Sequence, residues 1–202
     1  MSPTDEELVV RAQEGDAAAF DVLVRRWERK IRGAIYRIMG SDDEALDLCQ
    51  ETFLKAYRGL ASFKQEARFS SWVYQIALNL CRDRLRRKRG KTWLSLESIE
   101  DGTEVPQTPG PTALDLVEAL DLSRTVAVAM AALPEDQREV VVLKEYQGLT
   151  FLEIAEVLGL PMSTVKTRLY RALGQLKEQL ERQGVRDAAF GAAPAGLKRE
   201  SL

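Results

Sequence analysis

No histidine occurs among the 202 residues, and there are only two cysteines, Cys49 and Cys81. Without histidine, the commonest general base and a principal zinc ligand are both missing, which weighs against hydrolytic or nucleophilic catalysis. Two cysteines that each fall inside a helical pattern make neither a disulfide framework nor a metal cluster, so buried free thiols are expected, with no metal and no cofactor. Long apolar runs are also lacking. Nothing approaches the length of a membrane span, so membrane insertion is not expected. The N-terminal MSPTDEEL is acidic where a secretory signal would be basic and then apolar, which predicts a cytoplasmic chain. Nor does one charge dominate, since 29 basic and 31 acidic residues leave a formal net charge of -2.

That balance looks wrong for a nucleic-acid binder until the charges are placed along the chain. The run RDRLRRKRGK at 82–91 is densely basic, whereas 92–123 contains no Lys or Arg and carries Glu97, Glu100, Asp101, Glu104, Asp115, Glu118 and Asp121. Segregation of this kind implies an element that contacts nucleic acid, joined to a tether that avoids it or imitates its charge.

The remaining composition, 45% hydrophobic, is that of a soluble globular protein. Periodicity predicts an all-α chain of two small helical domains joined by a flexible acidic linker. Residues 1–90 form the first domain, 91–111 the linker, 112–182 the second domain and 183–202 a frayed tail. Within the first domain a short helix over 5–13 precedes a long one with Phe20, Leu23, Val24, Trp27, Ile31, Ile35 and Ile38 on one face, stopped by Gly40. Ser41 and Glu44 read as a capping box that starts a third helix. Its Ala45, Leu48, Phe53, Tyr57 and Leu60 face inward, and Asp43, Asp47, Gln50, Glu51 and Lys55 outward. Ser70 or Ser71 caps a fourth helix, with Trp72, Val73, Ile76 and Leu80 inside and Gln75, Asn79, Arg82, Asp83 and Arg86 on a polar stripe.

In the second domain one helix runs to Ala132, another starts at Pro134, and 149–180 reads as a helix-turn-helix. Thr150 with Glu153 is a capping box, Gly159 supplies the left-handed stop, and Pro161 prevents the first helix from continuing. Ser163 is the expected N-cap of the second helix. Val165, Leu169, Leu173, Leu176 and Leu180 form its buried stripe and leave Thr164, Thr167, Arg168 and Arg171 on the polar side, at a spacing suited to a DNA groove.

Four stretches, DLCQETFLKAYRGLASF at 47–63, FSSWVYQIALNLCRDRLRR at 69–87, LPEDQREVVVLKEYQGLT at 133–150, and EIAEVLG followed by STVKTRLYRAL, together resemble bacterial sigma factors of the extracytoplasmic-function class. The resemblance implies a two-domain initiation factor that binds core RNA polymerase, reads minus-10 and minus-35 promoter DNA, helps open the strands and catalyses nothing itself. It implies polymerase contacts at Asp47, Gln50, Glu51 and Lys55. For the minus-10 element it implies Phe63, Lys64, Arg68, Asn79, Arg82, Asp83 and Arg86, with Phe63 stacking on an unpaired base or else anchoring the core. Asp83 can instead orient Arg86 or Arg87 through a helical ion pair. For the minus-35 element it implies Ser163, Thr164, Lys166, Thr167, Arg168, Tyr170 and Arg171. An anti-sigma factor is an implied partner, and no small-molecule substrate is. Two rival readings are a free-standing helix-turn-helix regulator and a helical metal-dependent hydrolase using Asp42, Asp43, Glu44 and Asp47; no second constellation completes the latter's site.

Overall fold

The structure, a computed structural model, describes residues 2–64, 67–92 and 113–185, with only the backbone described at 90–92 and 113–121. Of the linker expected over 91–111, residues 91 and 92 close α4 and the rest lie outside the described residues, as does the expected tail from 186 on. Eight α-helices and no strand occur among those described: α1 Asp5–Gln13, α2 Ala17–Met39, α3 Asp42–Gly59, α4 Phe69–Thr92, α5 Ala113–Ala131, α6 Glu135–Val141, α7 Phe151–Leu158 and α8 Met162–Arg182. A 3-10 turn at Leu60–Ser62 follows α3, and a π-helical turn at Val142–Tyr146 follows α6.

Local chemistry sets most of these boundaries. Thr4 caps α1 reciprocally, its hydroxyl accepting from the Glu7 amide at 3.2 Å while its own amide donates to the Glu7 carboxylate at 2.8 Å. Asp16 caps α2, and Gly40 ends it at φ 74°, a left-handed conformation that a Cβ would disfavour. Ser41 caps α3 as expected, but only half of the box forms. Glu44 does not return to the cap; it reaches across to Lys88 at 2.6 Å and Arg84 at 3.6 Å. Two side-chain caps expected from the sequence are absent. The fourth helix already begins at Phe69, so Ser70 and Ser71 lie inside it. The eighth begins at Met162, with the Pro161 carbonyl accepting from Thr164 and Val165 and no side chain capping, so Ser163 sits in the first turn.

In the first half, α2 packs on α3 and α4, with Leu23, Ile31, Ile35, Ala45, Leu48, Phe53, Val73 and Ala77 in the core. Tyr57, expected inward, is 54% exposed and meets Phe20 only edge-on, with ring centroids 5.1 Å apart. Trp72 and Ile76 are half-buried, while Tyr74, Leu78 and Cys81 are buried. The shift has a tertiary cause: α4 is covered by α2 and α3 on one side and by α7 on another, so one stripe cannot describe its buried surface.

The second half folds back onto the first. Here α7 packs along α4, and α6 and the π-helical turn pack against α2. Arg138 fastens the corner by donating to the carbonyls of Ile38 at 2.7 Å, Met130 at 2.9 Å and Ala131 at 2.6 Å. Burial lowers its pKa, because the charge gives up water for these carbonyls. Cys49 and Cys81 are buried free thiols, pushed up to about 11 and about 12 by desolvation, which leaves them poor nucleophiles at neutral pH.

Candidate nucleic-acid and polymerase interface

The turn between α7 and α8 is built as its sequence dictates. Thr150 and Glu153 complete a reciprocal box at 2.8 and 3.2 Å, and Gly159 turns the chain at φ 64°. Ile154, Val157, Val165, Leu169 and Ala172 are buried where the two helices meet, and Leu176 and Leu180 extend the stripe, with Leu173 only half-buried. With that side committed to the core, Lys166, Thr167, Tyr170 and Arg171 are left exposed on one face of α8. Ser163 is exposed and Thr164 half-buried at its start. Thr167 donates its hydroxyl back to the Ser163 carbonyl at 2.9 Å, and Lys166 lies 5.5 Å from the centre of the Phe151 ring. Arg168 departs from this group: it is half-buried and turns toward α6, 3.2 Å from Asp136.

Along α4 most of the described cations are engaged, Arg87 being without a described partner. Arg82 forks onto Glu139 of α6 at 2.7 and 2.6 Å and also donates to Asn79 at 3.1 Å. Glu139 is 2% exposed; burial raises its pKa, and the Arg82 hydrogen bonds only partly offset that. The pair in turn raises Arg82. Asp83 holds Arg86 at 2.9 Å, the helical ion pair allowed for above. Arg68 is paired with Glu153, whose pKa is lowered chiefly by its hydrogen bonds from Thr150. Lys64 is exposed. Phe63 stacks on Trp72 with centroids 4.5 Å apart and meets Phe69 edge-on, half-buried in an aromatic cluster. Its loop is pinned by Gln13, which donates to the Leu60 and Phe63 carbonyls, both at 2.9 Å. Nothing in the local sequence around 60–63 points to Gln13, because 47 and 50 residues separate the partners.

On α3, Asp47, Gln50 and Lys55 are exposed and Glu51 half-buried, with Lys55 3.4 Å from Glu51. Leu46 and Leu54 are also exposed, at 43% and 49%, four residues to either side of Gln50. Neither is expected from the sequence, where a leucine in a helix ordinarily belongs to the buried stripe. Exposed leucines interleaved with polar groups on one helix face have the composition of a protein-binding patch.

Residues 23–91 match the family Sigma-70 region 2, and residues 123–176 match Sigma-70, region 4. The ECF RNA polymerase sigma factor SigW of Bacillus subtilis (strain 168) is 38% identical over 176 residues, spanning 85% of this chain and 94% of SigW. The chain belongs to the sigma-70 family, in its extracytoplasmic-function group. The sigma-H factor of Pseudomonas aeruginosa is 35% identical over 184 residues, covering 88% of this chain and 94% of that protein. Among solved structures, CnrH in complex with the cytosolic domain of CnrY matches with a TM-score of 0.68 at 28% identity, over 88% of this chain and 97% of that one. RpoE from Bartonella quintana, in complex with the anti-sigma factor NepR, shares the fold at a TM-score of 0.67 and 24% identity, over 80% and 96% of the two chains.

As a sigma factor, the chain directs RNA polymerase to promoters. Region 2 spans most of α2 through α4, so it holds the exposed face of α3 and the cations of α4; region 4 holds α6 through most of α8. Among the described residues no helix is long and apolar enough to cross a membrane, and no group of three or more acidic or cysteine side chains could hold a metal ion.

Proposed function

We propose that this sigma factor divides its work among three faces. The α3 face, with Asp47, Gln50, Glu51 and Lys55 around Leu46 and Leu54, binds core polymerase. Its leucines supply apolar burial and its carboxylates charge complementarity to a basic partner helix. The α4 residues Asn79, Arg82, Asp83 and Arg86, with Phe63, Lys64 and Arg68 before them, meet the minus-10 element, where arginines neutralise phosphates and Phe63 stacks on an unpaired base. The face of α8 that carries Lys166, Thr167, Tyr170 and Arg171, with Ser163, Thr164 and Arg168 alongside, enters the minus-35 groove.

The observation that carries this reading is the exposed polar face of α8, opposite a stripe packed against the core and set by a left-handed glycine turn. The protein works in the cytoplasm, catalyses no reaction and needs no cofactor. An anti-sigma factor restrains it, a partner of the kind that RpoE carries in its complex with NepR.

The test is transcription by core polymerase supplied with this chain and a library of random upstream sequences. Starts preceded by two spaced motifs, one lost when Arg171 and Lys166 become Ala and the other when Asn79 and Arg86 do, are expected. Starts without a shared motif would refute the assignment.

A further inference from the structure

Gln13 closes α1 and lies outside residues 23–91, the stretch that matches region 2, so that match says nothing of it. Its carboxamide bridges the 3-10 turn that leads into Phe63. One nitrogen, Nε2, donates to the Leu60 carbonyl and to the Phe63 carbonyl, each at 2.9 Å. Both of its hydrogens are thereby used, and because both partners are acceptors, only the amide nitrogen fits between them. The Leu60 carbonyl also takes the Phe63 amide at 3.0 Å, which closes the turn, and Ser62 Oγ donates to the Gly59 carbonyl at 2.9 Å. Phe63 itself is extended, with ψ 123°, so its carbonyl has left the helical ladder and Gln13 supplies the hydrogen bond that the helix no longer can. The helix that carries Gln13 is well anchored. Leu8 and Val9 are buried, Asp5 accepts from the Trp27 indole at 2.8 Å and pairs with Arg26, and Arg11 forks onto Asp16 at 3.0 and 2.6 Å where α1 gives way to α2. On its other side the Phe63 ring stacks on Trp72, which lies so close to Gly59 that a Cβ there would come within 3.2 Å of the indole. Phe63 is thus set twice, its backbone by α1 and its ring by α4.

We infer that Gln13 is a positioning residue for strand opening, one that fixes the backbone of Phe63 so that the ring is in place before an unpaired minus-10 base arrives. The inference rests on the assignment of Phe63 to that base. Stacking on an aromatic side chain holds an extruded base most firmly when the ring is already ordered, because a ring ordered only on contact loses in conformational entropy part of what stacking gains. Gln13 acts on the promoter only through the two carbonyls it holds. Its half-buried amide is the link by which the first helix of the chain sets the geometry of a loop that follows the third.

The test uses the full chain with core polymerase on a promoter recovered from the transcription library, with 2-aminopurine in the minus-10 element reporting opening. Gln13→Met keeps the length of the side chain and removes its donor; unchanged helicity by circular dichroism establishes folding. This variant is expected to slow opening at least about fivefold, the scale on which hydrogen bonds lost from a half-buried site act. It should initiate normally on a template already unpaired at the minus-10 element. Combined with Phe63→Ala it should cost nothing further, because the ring it positions is gone. With Phe63→Ala itself slow, opening by Gln13→Met at the native rate, equal slowing on the unpaired template, or an additive loss in the double variant would each overturn the inference and leave the assignment of Phe63 standing. Normal opening by Phe63→Ala alone would overturn both. A second arm does not depend on the methionine variant folding. Gln13→Lys keeps a donor of sufficient reach and, once folded, should open the promoter within about twofold of the native chain, whereas slowing of about fivefold would refute the role of donation.

Discussion

Both α4 and α8 present arginines and lysines at helical spacing, yet the fold leaves some of them in water and clamps others. On α8, Arg171 has no ion-pair partner among the described residues, and Lys166 touches only an aromatic ring. On α4, Arg82 is held by a carboxylate that is itself buried, and Arg86 by Asp83 one turn away. Similar residue types therefore carry different energies. An arginine standing in water contributes to binding alone, whereas one facing a buried glutamate also contributes to folding, because its loss strands a charge.

Removing one cation from each helix exposes that contrast. Arg82→Ala should lower stability by about 2 to 3 kcal/mol, toward the low side for a broken buried pair because the arginine is 39% exposed, read as a drop in the denaturation midpoint. Arg171→Ala should leave the midpoint nearly unchanged and weaken minus-35 binding in the polymerase complex by about 1 to 2 kcal/mol. Equal loss of stability in the two variants would abolish the distinction.

A smaller effect is expected at the start of α7, where Thr150→Ala removes one side of the capping box and should cost about 1 kcal/mol of stability, detectable by chemical denaturation. The two acceptors on the second half should also respond to acid with opposite signs. Glu153 has a lowered pKa, so its stabilisation is present above its ordinary value near 4.5 and is lost as the pH falls through the folded-state value. Glu139 has a raised pKa, so the folded state holds its proton longer than the unfolded chain, and falling pH favours folding in the window above 4.5. Melting from pH 6 to 4 should therefore shrink the advantage of the native chain over Glu153→Gln, and move it the other way against Glu139→Gln. The smallest change belongs to Asp83→Asn, within about 0.5 kcal/mol by denaturation, since the pair it breaks with Arg86 is exposed.

The two helices also differ in how far they could be read in advance. The α8 stripe was legible because one apolar side faces one core, and the α7 box and Gly159 are interactions over three or four residues. For α4 the expected stripe holds Trp72 and Ile76 against the core only half-buried, omits the buried Tyr74, Leu78 and Cys81, and gives Arg82 a place on the polar side without its partner. Partners on α6 and α7 lie 46 to 85 residues away, and no local period encodes them. Glu139 drew no notice for the same reason: in sequence it is an ordinary acidic residue of a short helix, and only the approach of α4 buries it. The expected caps at Ser70, Ser71 and Ser163 failed more simply. A serine near a helix start is a common cap, but here helix geometry begins one or two residues earlier, and the Pro161 carbonyl serves α8.

The sequence by itself determined the all-helical class, the positions of the main turns, the exposed polar face of α8 and the family, because each depends on residues close in the chain or on motifs read in order. Only the tertiary structure decided which cations are free and which are clamped, that Leu46 and Leu54 stand exposed beside Gln50, and that the second half lies along α4. Those outcomes depend on which surfaces are removed from water together, and burial is a property of the packed assembly of helices rather than of any one of them.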